Sequence, residues 1–154
     1  MIATLLLLAG LSGTRPPTPA DNHTRLGLIG ASELPSGGGC WYWPSAQRPS
    51  RGYLLVLADW KDMALVKVRG NPKRVYLMLA DVQEHSQRTD RASVGDTRTQ
   101  FWRGPELQVT LKLRVTFVCA STDEGCEVER YQGHLIVSSI NGAYDIPIRG
   151  ECGL

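Results

Sequence analysis

The chain lacks most of what would mark a catalytic or nucleic-acid-binding protein. It has no basic tail and no acidic block, and its formal net charge is only +2, so composition makes no case for nucleic acid. It contains no G-x-G-x-x-G, no Walker loop and no G-x-S-x-G elbow. Their absence removes the motif-based cases for dinucleotide binding, phosphate cradling and α/β-hydrolase chemistry. Its three histidines, His23, His85 and His134, are scattered, and no C-x-x-C pair exists. That spacing offers neither a structural zinc set nor a dithiol redox motif, so no metal and no cofactor is expected. Heptads and internal repeats are missing too.

A membrane helix needs about 20 apolar residues. Ile2–Leu11 supplies ten, which is the length of a signal-peptide core. Small residues at Gly10, Ser12 and Gly13, or at Thr18-Pro19-Ala20, could take a cleavage. No cysteine follows the run directly, so no lipid anchor is expected, and the mature chain is expected to hold no transmembrane segment. Residues 1–20 read as a secretory signal. Residues 21–39, rich in Pro, Gly, Ser and Thr, read as a flexible leader. Residues 40–154 read as a single β domain of ordinary globular composition.

What the chain does have is four cysteines: Cys40, Cys119, Cys126 and Cys152. Four cysteines allow three pairings. "ASTDEG" between Cys119 and Cys126 has a turn composition, so a bond there would pin the two flanking strands. Cys40 with Cys152 would then close almost the whole domain and tie down a terminal strand. Both bonds need an oxidising compartment, so the expected location is periplasmic or secreted.

Between these cysteines the pattern is that of strands. Leu107, Val109, Leu111, Leu113, Val115 and Phe117 alternate with Gln108, Thr110, Lys112, Arg114 and Thr116. Period-2 alternation gives a strand with one apolar and one wet face, which implies an antiparallel sheet. Runs at 52–60, 63–70, 74–82 and 98–104 read as further strands, with a polar loop over 83–97. Strand 127–140 should bulge or bend at Gly133. A type I′ turn at Asn141-Gly142 leads into the last strand, with Tyr144, Ile146 and Ile148 inward. Pro147, which cannot donate to a ladder, makes that strand an edge. The fold class is all-β: an antiparallel β-sandwich or a small open barrel of about seven or eight strands.

Candidate binding residues are few. "CWYW" places Trp41, Tyr42 and Trp43 together as a stacking platform or as a plug beside the Cys40 bond. Lys112 and Arg114 share one wet face, and Lys67, Arg69, Lys73 and Arg74 lie around an earlier meander; merged, they would form a basic patch. Asp123, Glu124, Glu127 and Glu129 would form an opposing acidic tip. Strand-end carboxylates such as Asp59 and Asp81 are the candidates for a hydrolase.

The C-terminal segment, with its long alternating strand, Cys-turn-Cys, hairpin and terminal "GEC", resembles small uncharacterised bacterial envelope proteins. Its size and two-disulfide plan are similar to those of bacterial lysozyme inhibitors. The resemblance implies an envelope location and no particular activity. The resulting expectation is a non-catalytic periplasmic or secreted binding module for a protein or a cell-envelope polymer. The alternatives are an envelope hydrolase, a lysozyme-inhibitor-like protein, or an assembly subunit that offers its edge strand for pairing.

Overall fold

The structure, a computed structural model, describes residues 26–58, 62–69, 74–85, 92–120 and 125–153. The expected signal segment and Asp59, Trp60, Lys73, Asp123 and Glu124 lie outside the described residues. Nine strands follow one another: β1 (Leu26–Gly27), β2 (Gly39–Pro44), β3 (Leu55–Ala58), β4 (Met63–Val68), β5 (Arg74–His85), β6 (Thr97–Arg103), β7 (Leu107–Val118), β8 (Val128–Ser139) and β9 (Gly142–Gly153). All pairings are antiparallel. From β2 to β9 each strand pairs with the next in sequence, and β9 pairs back onto β2. The result is a closed eight-stranded up-and-down barrel with β1 as an additional strand beside β4. Of the two architectures expected, the barrel is the one formed, and it is closed.

The interior follows from the alternation. Leu107, Val109, Leu111, Leu113 and Val115 of β7 are buried and meet Tyr131, Leu135 and Val137 of β8, Ile148 of β9, and Leu55, Val66 and Leu77 from the opposite wall. Mid-wall positions on the outer face carry Lys112, Arg114, Gln132, His134 and Arg149, all exposed. A membrane-spanning barrel turns an apolar band outward; on these strands the outer face is polar. Among the described residues no helix is long and apolar enough to cross a membrane.

Several expectations are corrected. The alternation fails at Phe117, which is exposed: the register slips after Val115, and the guanidinium of Arg130 lies 5.1 Å from the Phe117 ring centre. Gly133 is not a bulge. It stays in register between Leu113 and Ile148, at a point of close backbone approach. The final hairpin pairs Ser139 with Gly142, so Ile140 and Asn141 sit at its tip and Gly142 (φ 122°) opens the returning strand. Residues Gln83–His85, expected in a loop, extend β5 by pairing with Thr97–Thr99.

β9 is not an edge strand; β8 and β2 flank it on either side. Pro147 is tolerated because a residue's N–H and C=O face the same neighbour in an antiparallel ladder. Its carbonyl accepts from the Ser45 amide at 2.9 Å, so its nitrogen faces β2 just past Pro44, the last paired residue of that strand. With both sides of β9 occupied, the edge-pairing reading has no edge on that strand to offer.

The folded domain also begins earlier than Cys40. Leu26 is buried in the main core, and its amide donates to the Tyr144 hydroxyl at 2.7 Å. The chain then runs along the outer wall. Ile29 bridges to Tyr53 and, with Leu34, covers Val56, Leu65 and Trp41 in a second small cluster. Lys67 clamps this segment through Glu33 at 2.9 Å. The Gly30 amide and the Lys67 ammonium together hold the Glu33 carboxyl below its ordinary value.

Both expected disulfides are present. Cys40 and Cys152 stand opposite each other in the β2–β9 pair, with Cα atoms 4.0 Å apart. Cys119–Cys126 joins the exit of β7 to the entry of β8. Both lie at the same end of the barrel, the end where β2 begins and β9 finishes.

Candidate functional site

The "CWYW" platform does not exist as a unit, because a strand sends successive side chains to opposite faces. Tyr42 points into the barrel and is 1% exposed. Its ring fits there because residue 150 is glycine: a Cβ at Gly150 would lie 2.2 Å from it. Trp41 and Trp43 face outward. Trp41 is half-buried and packs against the cluster of Ile29, Val56 and Leu65. Trp43 remains at the surface, half-buried, with the Tyr53 ring edge-on at 6.2 Å.

Lys112 and Arg114 are exposed on the outer face of β7. They do not merge with the earlier basic cluster. Lys67 and Arg74 are on β4 and β5, where both engage Glu33, and outward residues of β5 and β6 such as Gln83 and Thr99 intervene. Barrel closure brings a different set of residues to them. Arg114 faces Gln132, Gln132 faces Arg149, and Arg149 faces Trp43, one row crossing β7, β8, β9 and β2. In the adjacent row Lys112 faces His134. His134 Nδ1 lies 2.9 Å from an Asp145 carboxylate oxygen.

The charge balance of this wall is uneven. Arg130 has a carboxylate, that of Glu151 at 3.2 Å. Among the described residues, Lys112, Arg114 and Arg149 have no carboxylate within 4 Å. Their charges are left to solvent or to a partner. Guanidinium groups offer planar forks of donors that match carboxylates and phosphates, and they hold their protons throughout the useful pH range. This wall presents such donors to solvent, beside the His134–Asp145 pair.

Of the acidic tip, Glu127 is exposed and Asp123 and Glu124 lie outside the described residues. Glu129 turns inward, and its carboxylate accepts a hydrogen bond from the Tyr131 hydroxyl. Tyr131 and Tyr42 are neighbours inside this end of the barrel, with ring centres 6.5 Å apart. Burial pushes the Tyr42 phenol far above its ordinary value, with the nearby Tyr131 adding to the shift. Tyr131 is raised by burial first and then by its bond to Glu129. Of the strand-end carboxylates, Asp62, Asp81 and Glu84 are exposed; the Asp81 carboxylate accepts from the Val82 amide and Glu84 pairs with Arg98. Among the described residues no group of three His, Cys, Asp or Glu side chains could hold a metal ion.

The two tyrosines set an alkaline limit on stability. An unfolded phenol loses its proton near pH 10; the folded ones hold theirs to higher pH. Above about pH 10 the unfolded chain therefore binds fewer protons than the folded one, and stability falls with rising pH. Below that, both states keep the proton and this contribution is constant. Urea midpoints are expected to hold between pH 8 and 9 and to drop by pH 11, with a shallower drop in Tyr42→Phe. Equal drops in wild type and variant would rule out the tyrosines as the cause.

Sequence reasoning found Lys112, Arg114 and Trp43 but not what joins them. Arg149 was legible as an outward residue of the last strand, and Gln132 as a polar position on the one before it. Their alignment with Trp43 depends on the β2–β9 closure. No family model, curated protein or solved structure matches the chain.

Proposed function

We propose that the protein is a non-catalytic binding module of the periplasm or the extracellular space, and that it binds an anionic envelope partner on the outer wall of β7–β9. The observation that carries this reading is the row Arg114–Gln132–Arg149–Trp43, with Lys112 beside it. Three exposed cations without carboxylate partners among the described residues share one continuous sheet face with a surface indole. Uncompensated like charge at close spacing raises the local potential and attracts polyanions. The location rests on the two disulfides, which persist in oxidising compartments.

Immobilised heparin, a generic polyanion, tests the surface. Wild type is expected to be retained at low salt and released as salt screens the contacts. The double variant Arg114→Glu/Arg149→Glu is expected to pass unretained. A double reversal at Arg48 and Arg51, exposed cations on the β2–β3 connection, alters net charge equally and is expected to keep most of the retention. Identical elution of the two double variants would mean that net charge, not this wall, does the binding.

A further inference from the structure

The outer wall of β7–β9 specifies more than charge. Its row of side chains crosses four strands, so its direction is perpendicular to them. Adjacent strands lie roughly 5 Å apart, which puts the backbones of Arg114 and Arg149 roughly 10 Å apart and Trp43 one strand further. Gln132, between the two arginines, adds an amide that both donates and accepts. Beyond Arg149 the row ends on an indole. Tyr53 packs edge-on against that ring, so it is held in place before anything binds. Little side-chain freedom remains to be lost there on binding.

Building on the anionic-partner reading of this wall, we propose that the occupant is an acidic polysaccharide laid across the strands. Its carboxylates would meet Arg114 and Arg149, a ring hydroxyl would meet Gln132, and the apolar face of a pyranose ring would stack on Trp43. A phosphate or carboxylate polymer without rings would satisfy the cations and leave the indole idle. A neutral glycan would satisfy the indole and leave the cations idle. The row combines guanidinium, amide and indole in line, and a glycan whose charged rings repeat along its length complements all three. Trp41, two residues away on the outer face of β2, is engaged by the cluster of Ile29, Val56 and Leu65.

The test compares three probes by calorimetry at one ionic strength: an oligogalacturonate, a poly-glutamate of equal charge count and an uncharged dextran oligomer. The oligogalacturonate is expected to bind at least about tenfold more tightly than poly-glutamate, and dextran to show no measurable heat. Trp43→Ala is expected to bring oligogalacturonate down to the poly-glutamate level while poly-glutamate stays unchanged. Trp43→Tyr, which keeps a stacking ring, is expected to restore most of the difference and guards against a folding defect. Arg114→Gln/Arg149→Gln is expected to weaken both anionic probes and to flatten their salt dependence. Equal affinities for the two anionic probes, unmoved by Trp43→Ala, would overturn the glycan assignment and leave the anionic-partner reading in place. Failure of both anionic probes to bind would overturn that reading as well.

Discussion

Gly133→Ala is expected to abolish the folded barrel. A Cβ built at residue 133 would sit 1.8 Å from the carbonyl oxygen of Lys112, 2.9 Å from its carbonyl carbon and 3.1 Å from the Cα of Leu113. All three are backbone atoms of β7, so no rotamer change relieves the clash. β8 would have to move away from β7 in the middle of a pairing that runs from Leu107 to Val118. Gly150 offers a useful contrast. A Cβ there also clashes, but chiefly with the Tyr42 ring, a side chain with some freedom to shift. Overpacking of that kind costs typically about 1–3 kcal/mol. Displacing a central ladder belongs with the exceptional substitutions, above about 4–5 kcal/mol. Against a typical total of about 5–15 kcal/mol, that leaves little or no folded protein. Far-ultraviolet circular dichroism and a thermal melt of Gly133→Ala decide the matter, with Gly150→Ala alongside. A Gly133→Ala protein that melts within a few degrees of wild type would show that β7 and β8 have room for a methyl group between them.

These glycines also mark where local patterning stops being informative. The apolar face of β7 can be read residue by residue because its outer face is solvated, and alternation then carries the signal. It fails at Phe117 because a bulge is decided by pairing with β8 and Arg130, which no period in β7 encodes. β2 is hidden for the opposite reason. Its inner Tyr42 and its outer Trp41 and Trp43 are all aromatic, because the segment Ile29–Leu34 covers part of the outer wall and makes apolar side chains acceptable there. That covering segment lies in a stretch rich in Gly, Pro and Ser and resembles a linker, although Ile29 is fully buried. The candidate site inherits the same difficulty. Lys112 and Arg114 are visible as a wet face, and Arg149 as an outward residue. Their meeting with Trp43 requires strands more than 100 residues apart to pair, and only Cys40 and Cys152 hinted at that pairing.

Those cysteines carry the second large expected effect. Cys40→Ala/Cys152→Ala is expected to cost about 5 kcal/mol, and Cys119→Ala/Cys126→Ala about 2.5 kcal/mol, from loop-closure entropy in the unfolded chain. The difference comes from sequence separations of 112 and 7. The long bond also acts where the fold is most exposed to failure. Every other pair in the barrel joins strands adjacent in sequence, so each can re-form locally after opening; the β2–β9 pair cannot. Without the bond, opening of that seam would expose two unpaired edges, β2 and β9, and such edges template aggregation. The seam also supports the proposed binding row, since Arg149 and Trp43 face each other across it. Urea denaturation of the two double variants, with heparin retention measured on the same samples at fixed low salt, separates the contributions. The long-bond variant is expected to lose more stability and to lose retention at denaturant concentrations where the short-bond variant still binds. If it instead loses no more than the short-bond variant, the β2–β9 ladder alone must hold the barrel closed. The alignment of Arg149 with Trp43 would then not depend on the bond at all.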